Sequence, residues 1–213
     1  MIARTDTSKT LISAIFIACV IAANVVAAKI LQLGPFQITA GVMFYGFTFL
    51  CTDFMSELYG RKAANSLVFA GFVASVVVSL MFLLIQYLPS APFAAEVQKS
   101  YVGLLGTNFR FVAASMTAYL VAQSWDVYLF HKIGKATKGK KKWLRNNVAT
   151  MTSQLADTLI FTLIAFGISE HFLTLLISQY LVKFLIALCD TPLFYLFTKN
   201  YVQEEFTAVD TGK

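Results

Sequence analysis

The sequence contains few charged residues. Only 13% of its 213 residues are charged, whereas a soluble domain averages about 25%. Hydrophobic residues make up 58% of the chain, compared with roughly 45–50% in soluble domains. About 20 apolar residues cross a bilayer, so this length holds roughly six spans and leaves no room for a large soluble catalytic domain. The composition therefore predicts a membrane protein.

Cysteine is also scarce, and its pattern excludes two kinds of site. Cys19, Cys51 and Cys189 all lie in apolar runs without a Cys-x-x-Cys spacing. Neither a disulfide framework nor a zinc site is expected, and the three residues are interpreted as small core residues. Residues 134–141 match Gly-x-x-x-x-Gly-Lys, but Lys141 stands where a phosphate-binding loop needs Ser or Thr. We therefore expect no metal, no cofactor and no nucleotide hydrolysis.

Long apolar segments dominate the remainder and indicate an all-α, polytopic membrane protein with six transmembrane helices in one domain, residues 1–213. Proline, glycine and basic residues separate the segments, because these residues end helices or mark interfaces. The predicted spans cover residues 11–31, 36–59, 63–88, 109–131, 147–168 and 172–198, with a basic loop over 132–146.

The cations predict the orientation of the spans. Lys and Arg concentrate on the cytoplasmic side of membrane proteins, so the net charge of +6 is not taken as a sign of nucleic-acid binding. With a cytoplasmic N-terminus, the inner segments hold thirteen of the 17 cations and the outer loops hold only Lys99. Both termini are thus predicted to be cytoplasmic. The thirteen are Arg4, Lys9, Arg61, Lys62, Lys132, Lys135, Lys138, Lys140, Lys141, Lys142, Arg145, Lys199 and Lys213.

Acidic residues inside the spans predict a polar interior. The third span is uncharged and is interpreted as structural or lipid-facing, but the second, fourth, fifth and sixth spans all contain acids. Five lipid-exposed acids would cost on the order of 15 kcal/mol, so they must face the bundle interior or water. A rise of about 1.5 Å per residue places four of them about 8 to 15 Å from the cytoplasmic ends of their spans. The five acids are Asp53, Glu57, Asp126, Asp157 and Asp190.

Amides accompany these acids at helical spacing. Gln123 precedes Asp126 by three residues, and Gln154 precedes Asp157 by three. Residues three apart share a helix face, so each span presents an amide beside a carboxylate. A carboxylate can accept two N–H bonds from a guanine-like edge, and an amide can both donate and accept. The set predicts a site for a planar, nitrogen-rich heterocycle, although hydrogen bonds that only hold the bundle together remain an alternative.

Further polar positions complete the predicted site. Asn24 and Gln179 lie on the first and sixth spans, and Lys183 adds a positive charge that makes a simple cation site less attractive. Acids outnumber bases inside the spans, so we expect either a cationic substrate or one protonated acid. Asp157 lies nearest the midplane and is the candidate for the protonated acid.

Three motifs then resemble the queuosine precursor transporter family. They are Asp53-Phe-Met-Ser-Glu57-Leu-Tyr-Gly60, then Arg110-Phe-Val-Ala-Ala-Ser115 leading to Gln123-x-x-Asp126, and finally Ser153-Gln154-Leu-Ala-Asp157. The likeness covers about residues 10–200. It implies a six-helix, multi-pass inner-membrane protein of the vitamin uptake type. Such a protein imports 7-cyano-7-deazaguanine or 7-aminomethyl-7-deazaguanine for tRNA modification without itself binding nucleic acid.

The resemblance also suggests roles for individual residues. Asp53 or Glu57, together with Asp157, would accept the N–H groups of the base, and Gln123 and Gln154 would read its carbonyl or five-membered ring. Asn24, Asp126, Lys183 and Asp190 complete the predicted substrate-binding set. Arg110 lies near the outer end of its span and would act as a gate or an interfacial anchor.

A substrate-binding subunit of an ATP-driven uptake complex is the alternative, because small residues at Ala14, Ala18 and Ala22 could dock a partner rather than pack within the bundle. A homodimer also stays open. An intramembrane enzyme is not expected, since His131 and His171 lie at opposite ends of spans and cannot form a dyad.

Overall fold

A computed structural model describes the backbone of residues 5–136 and 142–198 and, with some exceptions, the side chains as far as Ile186. Within these ranges the chain is mainly helical. The α-helices are α1 (Asp6–Val26), α2 (Tyr45–Tyr59), α3 (Arg61–Gln86), α4 (Ala95–Leu105), α5 (Asn108–Ala136), α6 (Lys142–Phe166) and α7 (Phe172–Thr198). A hairpin of strands β1 (Ile30–Leu33) and β2 (Phe36–Thr39) separates α1 from α2, and 3-10 turns occupy Ala40–Phe44 and Pro92–Ala94.

Local sequence signals explain where the first helices begin and end. The Thr5 hydroxyl accepts a hydrogen bond from the Ser8 amide at 3.1 Å, which caps the start of α1. Gly60 lies between α2 and α3 with φ at +85°, a backbone conformation that suits glycine. The Tyr59 hydroxyl donates to the Thr5 carbonyl at 2.6 Å, so the beginning of α1 is tied to this sharp bend.

The second predicted span, residues 36–59, is helical only in its second part. Residues 36–39 form strand β2 and residues 40–44 a 3-10 turn, so the helix begins only at Tyr45. Strand β2 pairs antiparallel with β1, with Ile30 opposite Thr39 and Leu33 opposite Phe36. Ile38 and Thr39 are buried in this strand. A buried strand and a buried helix both appear in a sequence as an apolar run, so the pattern did not distinguish them.

Other boundaries also differ from the prediction. Strand β1 takes up residues 30–31, which the first span was expected to include. Helix α5 continues to Ala136 and α6 begins at Lys142, so the basic stretch 132–146 is partly helical. Helix α4 was not predicted, and it lies in the loop between the third and fourth spans.

Two apolar clusters hold the described helices together. One joins α1, α2 and α3 around Phe16, Met55 and Leu67, and the other joins the end of α1 to α5 and α6 around Phe111 and Ala165. Gly71 allows α1 and α3 to approach closely, because a Cβ there would lie 2.7 Å from the Phe16 ring. Cys51 is buried and Cys19 half-buried, both with free thiols.

The burial of small residues differs from one helix to another. Ala114 and Ala118 are fully buried, and the Ser79 hydroxyl donates to the Asn108 side-chain oxygen at 2.7 Å across α3 and α5. Ala14 and Ala18, in contrast, are exposed on the outside of α1. Ala22 is half-buried, so only Ala14 and Ala18 are left unpacked by the described bundle, and a docked partner there stays a prediction.

Two of the described helices, α1 and α3, are long and apolar enough to cross a membrane. The apolar stretches Met151–Phe166 and Phe172–Ile186 are shorter. Many large apolar side chains of α3 are exposed, including Phe69, Leu80 and Leu84. A soluble monomer rarely exposes so large an apolar face, which is consistent with a lipid surrounding.

Candidate substrate-binding cavity

The described helices enclose a cavity of about 510 Å³. This volume falls within the range of about 300–1,000 Å³ that is usual for small-molecule sites. Helices α1, α2, α3, α5, α6 and α7 all contribute to its wall, as does the segment that joins the hairpin to α2. Its principal polar side chains are Asn24, Thr39, Asp53, Asn65, Gln123, Gln154, Asp157, Gln179 and Lys183.

The non-helical part of the second predicted span forms one end of this cavity. Thr39, Gly41, Val42 and Phe44 line it, all from β2 and the 3-10 turn. Irregular backbone at membrane depth is tolerated where protein buries it or where it lines a cavity. Interrupted spans also mark the substrate sites of many transporters. The break in this span therefore places backbone and side chains at the cavity wall that a continuous helix would not.

Asp157, Lys183 and Tyr45 form a compact cluster on the wall. Lys183 Nζ donates to Asp157 Oδ2 at 2.8 Å and to the Tyr45 hydroxyl at 3.1 Å. The same hydroxyl donates to Asp157 Oδ2 at 3.1 Å. The Lys183 side chain is only 3% exposed, while that of Asp157 is 19% exposed. The lysine thus neutralises the acid, and the acid is the more exposed member of the pair.

Both of these bonds go to the same carboxylate oxygen. Among the described residues, no hydrogen bond to Asp157 Oδ1 is found. A carboxylate oxygen has acceptor capacity for more than one donor, so Oδ1 can accept an N–H group from a ligand. Lys183 was predicted to bind substrate. Its nearly complete burial and its bonds to Asp157 and Tyr45 favour an indirect role through Asp157.

Gln179 is a second polar group held in place by hydrogen bonds, and it lies at the end of the cavity that the hairpin forms. Its Oε1 accepts from the Thr39 hydroxyl at 3.2 Å, and its Nε2 donates to the Thr162 hydroxyl at 3.3 Å. Gln179 is 1% exposed and Thr39 is 2% exposed. These bonds connect strand β2 to α6 and α7, and they leave the amide with capacity for one further donor and one further acceptor.

The other predicted residues occupy different depths. Asp53 and Gln123 are exposed and line the cavity from α2 and α5, whereas Gln154 is half-buried on α6. Asn24 is buried, and its Nδ2 donates to the Val20 carbonyl of its own helix at 3.0 Å. Among the described lining residues, Asp53 and Gln123 are exposed, whereas Thr39, Gly41 and Val42 at the hairpin end are buried.

The third predicted span contributes more than structure. Asn65 and Phe72 of α3 both line the cavity, although the absence of charge had suggested a structural or lipid-facing helix. Aromatic rings line much of the remaining wall. Tyr45 and Phe49 meet edge to face at 5.1 Å, as do Phe72 and Tyr119 at 5.0 Å. Such rings offer apolar faces to a planar ligand.

Four predicted residues are not placed in the cavity. Glu57, Asp126 and Asp190 belong to α2, α5 and α7, but their side chains lie outside the described residues. Arg110 is exposed, and its Nε donates to the Ile164 carbonyl at 2.7 Å. That carbonyl belongs to the last turn of α6, where helix carbonyls lack partners within the helix. The contact favours the anchor over the gate.

Comparison with known proteins matches the chain to a family. The family model described as "Putative vitamin uptake transporter" matches residues 39–197. The chain belongs to the vitamin uptake transporter family. This transporter is 33% identical over 190 residues to the "Probable queuosine precursor transporter" of Bacillus subtilis (strain 168), an alignment that covers 87% of this chain and 82% of the relative. It is 28% identical over 162 residues to the "Queuosine precursor transporter" of Escherichia coli (strain K12), covering 72% and 69% respectively.

No solved structure matches this transporter. Its relatives are named as transporters, so its function is transport rather than catalysis, as the sequence predicted. Within the described residues, no group of three His, Cys, Asp or Glu side chains could hold a metal ion. Apart from Lys183, whose ammonium group is bonded to Asp157 and Tyr45, the polar side chains that line the cavity are carboxylates, amides and hydroxyls, and these suit an organic ligand with several N–H groups.

Sequence reasoning missed the role of Tyr45. It is one of nine tyrosines, and it follows a phenylalanine within an apolar run. Thr39 and Thr162 were missed because a hydroxyl in a span ordinarily bonds to its own helix. The available signal was indirect: Lys183 and Asp157 needed a partner in the interior, and a phenol can both donate and accept.

Proposed function

We propose that this transporter imports a queuosine precursor, 7-cyano-7-deazaguanine or 7-aminomethyl-7-deazaguanine, into the cytoplasm for tRNA modification. Two supports are independent of each other. The relatives carry the name of queuosine precursor transporters. The cavity combines a carboxylate oxygen, amides and aromatic rings, which is the chemistry that recognises a guanine-like base. The Asp157, Lys183 and Tyr45 cluster is the single observation that carries the proposal.

The base would bind with its amidine-like edge at Asp157. Asp157 Oδ1 would accept N–H groups, while Lys183 and Tyr45 hold Oδ2 and keep the carboxylate in place. Gln154, three residues earlier on the same helix, lies on the same face and would read a neighbouring edge. Phe49, Phe72 and Phe161 would cover the faces of the ring. Gln123 and Asp53 would then contact the substituted end of the base.

The orientation of the cavity suggests which state the structure represents. With cytoplasmic termini, the C-terminal half of α2 and its Asp53 lie toward the cytoplasm, and the hairpin lies toward the outside. Asp53 is exposed, whereas Thr39 and Gln179 are buried. We infer an inward-open state in a multi-pass protein of the inner membrane, with the hairpin as the outer closure.

Transport would be secondary active or facilitated. The purified protein, reconstituted alone in liposomes, is expected to take up radiolabelled 7-cyano-7-deazaguanine. A requirement for a separate ATP-hydrolysing module would contradict this part of the proposal and support the substrate-binding subunit instead. Imposing a proton gradient on the same liposomes distinguishes the two remaining modes, since only coupled transport accumulates the base above its outside concentration.

The substrate is tested in cells that cannot make the precursor. Expression of this transporter is expected to restore queuosine in tRNA when the base is supplied in the medium. Asp157→Ala should abolish the restoration. Glu170→Ala is the matched control, because this acid is exposed between α6 and α7 and lies outside the cavity. Full restoration by Asp157→Ala would refute the assignment of the site.

A ligand screen tests the substrate class directly. In a thermal-shift assay of the purified protein, the 7-substituted deazaguanines should raise the melting temperature more than guanine or adenine does. Adenine lacks the N1–H donor of guanine and presents an acceptor there, so it is the informative control. Equal stabilisation by all four bases would contradict recognition of the guanine edge.

A further inference from the structure

Helix α4 caps the end of α3 and is fixed to it by side-chain hydrogen bonds. Gln98 Nε2 donates to the Gln86 carbonyl at 3.0 Å, and the Tyr101 hydroxyl donates to the Phe82 carbonyl at 3.3 Å. Gln86 is the last residue of α3, where a backbone carbonyl finds no N–H donor within its own helix. One face of α4 is therefore committed to the bundle.

The opposite face of α4 is polar and exposed. Glu96, Lys99 and Ser100 lie there, and Lys99 Nζ pairs with Glu96 Oε1 at 2.8 Å. With 3.6 residues per turn, these three lie across the helix from Gln98 and Tyr101. Both charged side chains are largely exposed, so this face suits water or lipid headgroups.

An apolar flank lies between these two faces. Val97 and Leu104 are seven residues apart, which places them on one side of the helix, about a quarter turn from each of the other faces. Val97 is 70% exposed and Leu104 47% exposed, and Phe93 in the preceding 3-10 turn is 94% exposed. Nothing in the described part of the chain covers this flank. Apolar side chains near the end of α3, such as Leu84, are exposed as well.

We propose that α4 is an in-plane interfacial helix that binds lipid at the boundary between the headgroups and the hydrocarbon. Phe93, Val97 and Leu104 enter the acyl region, and the Glu96 and Lys99 face remains in water. A helix with one side attached to the bundle, a polar side opposite and an apolar side between them fits a boundary where water and hydrocarbon meet. The exposed face of α3 argues for lipid as the occupant, because a membrane transporter presents such a face to acyl chains.

Lipid bound at this flank also gives a function to the hydrogen bonds that join α4 to the end of α3. Lipid held against Val97 and Leu104 fixes the level of α4 at the membrane surface. The end of α3, bonded to α4 through Gln86 and Phe82, is fixed with it. This helix therefore sets the depth of the bundle in the bilayer on the side of the 89–108 loop.

Fluorescence quenching tests the proposal on the full chain in liposomes. The two natural tryptophans, Trp125 and Trp143, are replaced by phenylalanine, and a single tryptophan is placed by Val97→Trp or Lys99→Trp. Lys99 lies almost opposite Val97 on the helix, so brominated acyl chains should quench the Val97→Trp signal at least threefold more than the Lys99→Trp signal. Aqueous iodide should show the opposite order.

Two results would overturn it. Equal quenching of both positions by iodide would place the flank in water. Protection of Val97→Trp from both quenchers would show that protein, such as a second copy of this chain, covers the flank. Leu104→Trp repeats the measurement on the same side if Val97→Trp fails to fold. The readout needs no substrate, so it is independent of the proposed function.

Discussion

Asp157 depends on two other side chains for its place in the cavity wall. Lys183 and Tyr45 both bond to its Oδ2, and the lysine is almost completely buried. A buried charge without its partner is strongly unfavourable, whereas the loss of both partners together costs much less. The effect of the pair on stability and its proposed effect on transport can therefore be measured apart.

Lys183→Met should destabilise the protein by about 3–5 kcal/mol, because it leaves the Asp157 carboxylate without its counter-charge. The melting temperature in detergent measures the loss. The double variant Lys183→Met with Asp157→Asn should recover most of the stability but none of the uptake. If the single variant is as stable as the natural protein, the ion pair has no structural role.

Tyr45→Phe removes a hydroxyl that bonds to both Lys183 and Asp157. The remaining groups lose one orienting hydrogen bond, so substrate affinity should fall about tenfold, or about 1.4 kcal/mol. Titration calorimetry with 7-cyano-7-deazaguanine measures the affinity. Tyr180→Phe is the control, since that phenol bonds to the Met151 carbonyl at 3.3 Å and does not line the cavity. Equal effects of the two changes would contradict a role for Tyr45 in binding.

At this scale the sequence identified the charges but not their pairing. Asp157 and Lys183 stood out because ionisable groups inside spans are costly. They lie 26 residues apart on different helices, and composition does not determine how each helix is rotated about its axis. Tyr45 could not be distinguished from the other aromatic residues of the spans.

The non-helical part of the second predicted span closes one end of the cavity wall. Residues 36–44 fold into a strand and a 3-10 turn, and Gly41 lets this turn lie against α1. A Cβ at Gly41 would come within 2.7 Å of the Ala23 carbonyl oxygen, a backbone atom that cannot move aside cheaply.

Gly41→Ala should therefore push the 3-10 turn away from α1 and lower both the melting temperature and the uptake rate. A cost of about 1–3 kcal/mol is expected for overpacking of this kind. Gly103→Ala in α4 is the control, because a Cβ there meets nothing within 4 Å. That change should leave uptake intact and raise stability by up to about 1 kcal/mol, since alanine favours a helix. A neutral Gly41→Ala would show that the turn can shift without consequence.

The sequence predicted the long helices well and the short elements poorly. Helices α3, α5 and α7 begin within a few residues of the predicted spans, because continuous apolar runs determine them. The hairpin was missed since a buried strand and a buried helix have the same apolar composition. Helix α4 is too short and too polar to stand out as a span, and it forms through its contacts with α3.

For the whole molecule, the distribution of cations predicts that the Asp53 end of the cavity faces the cytoplasm. Alkaline phosphatase fused after Ser90 should be active, and the same enzyme fused after Gly139 should be inactive, because only the first would lie outside. Green fluorescent protein fused at either terminus should fluoresce. Reversed activities of the two phosphatase fusions would place the open end of the cavity outside the cell and contradict the inward-open interpretation.

The bond between Thr39 and Gln179 joins residues 140 positions apart in the chain, and that between Tyr45 and Lys183 spans 138. During synthesis, α1 to α6 leave the ribosome before α7 does, so the hairpin must wait for its last partner. Contacts of such separation form late, because the chain between them has to be ordered first. A protein truncated before Phe172 would thus keep its first helices and still lack a site. Because α7 supplies Gln179 and Lys183, a chain cut short before α7 cannot form either the Asp157 cluster or the bond that fixes the hairpin.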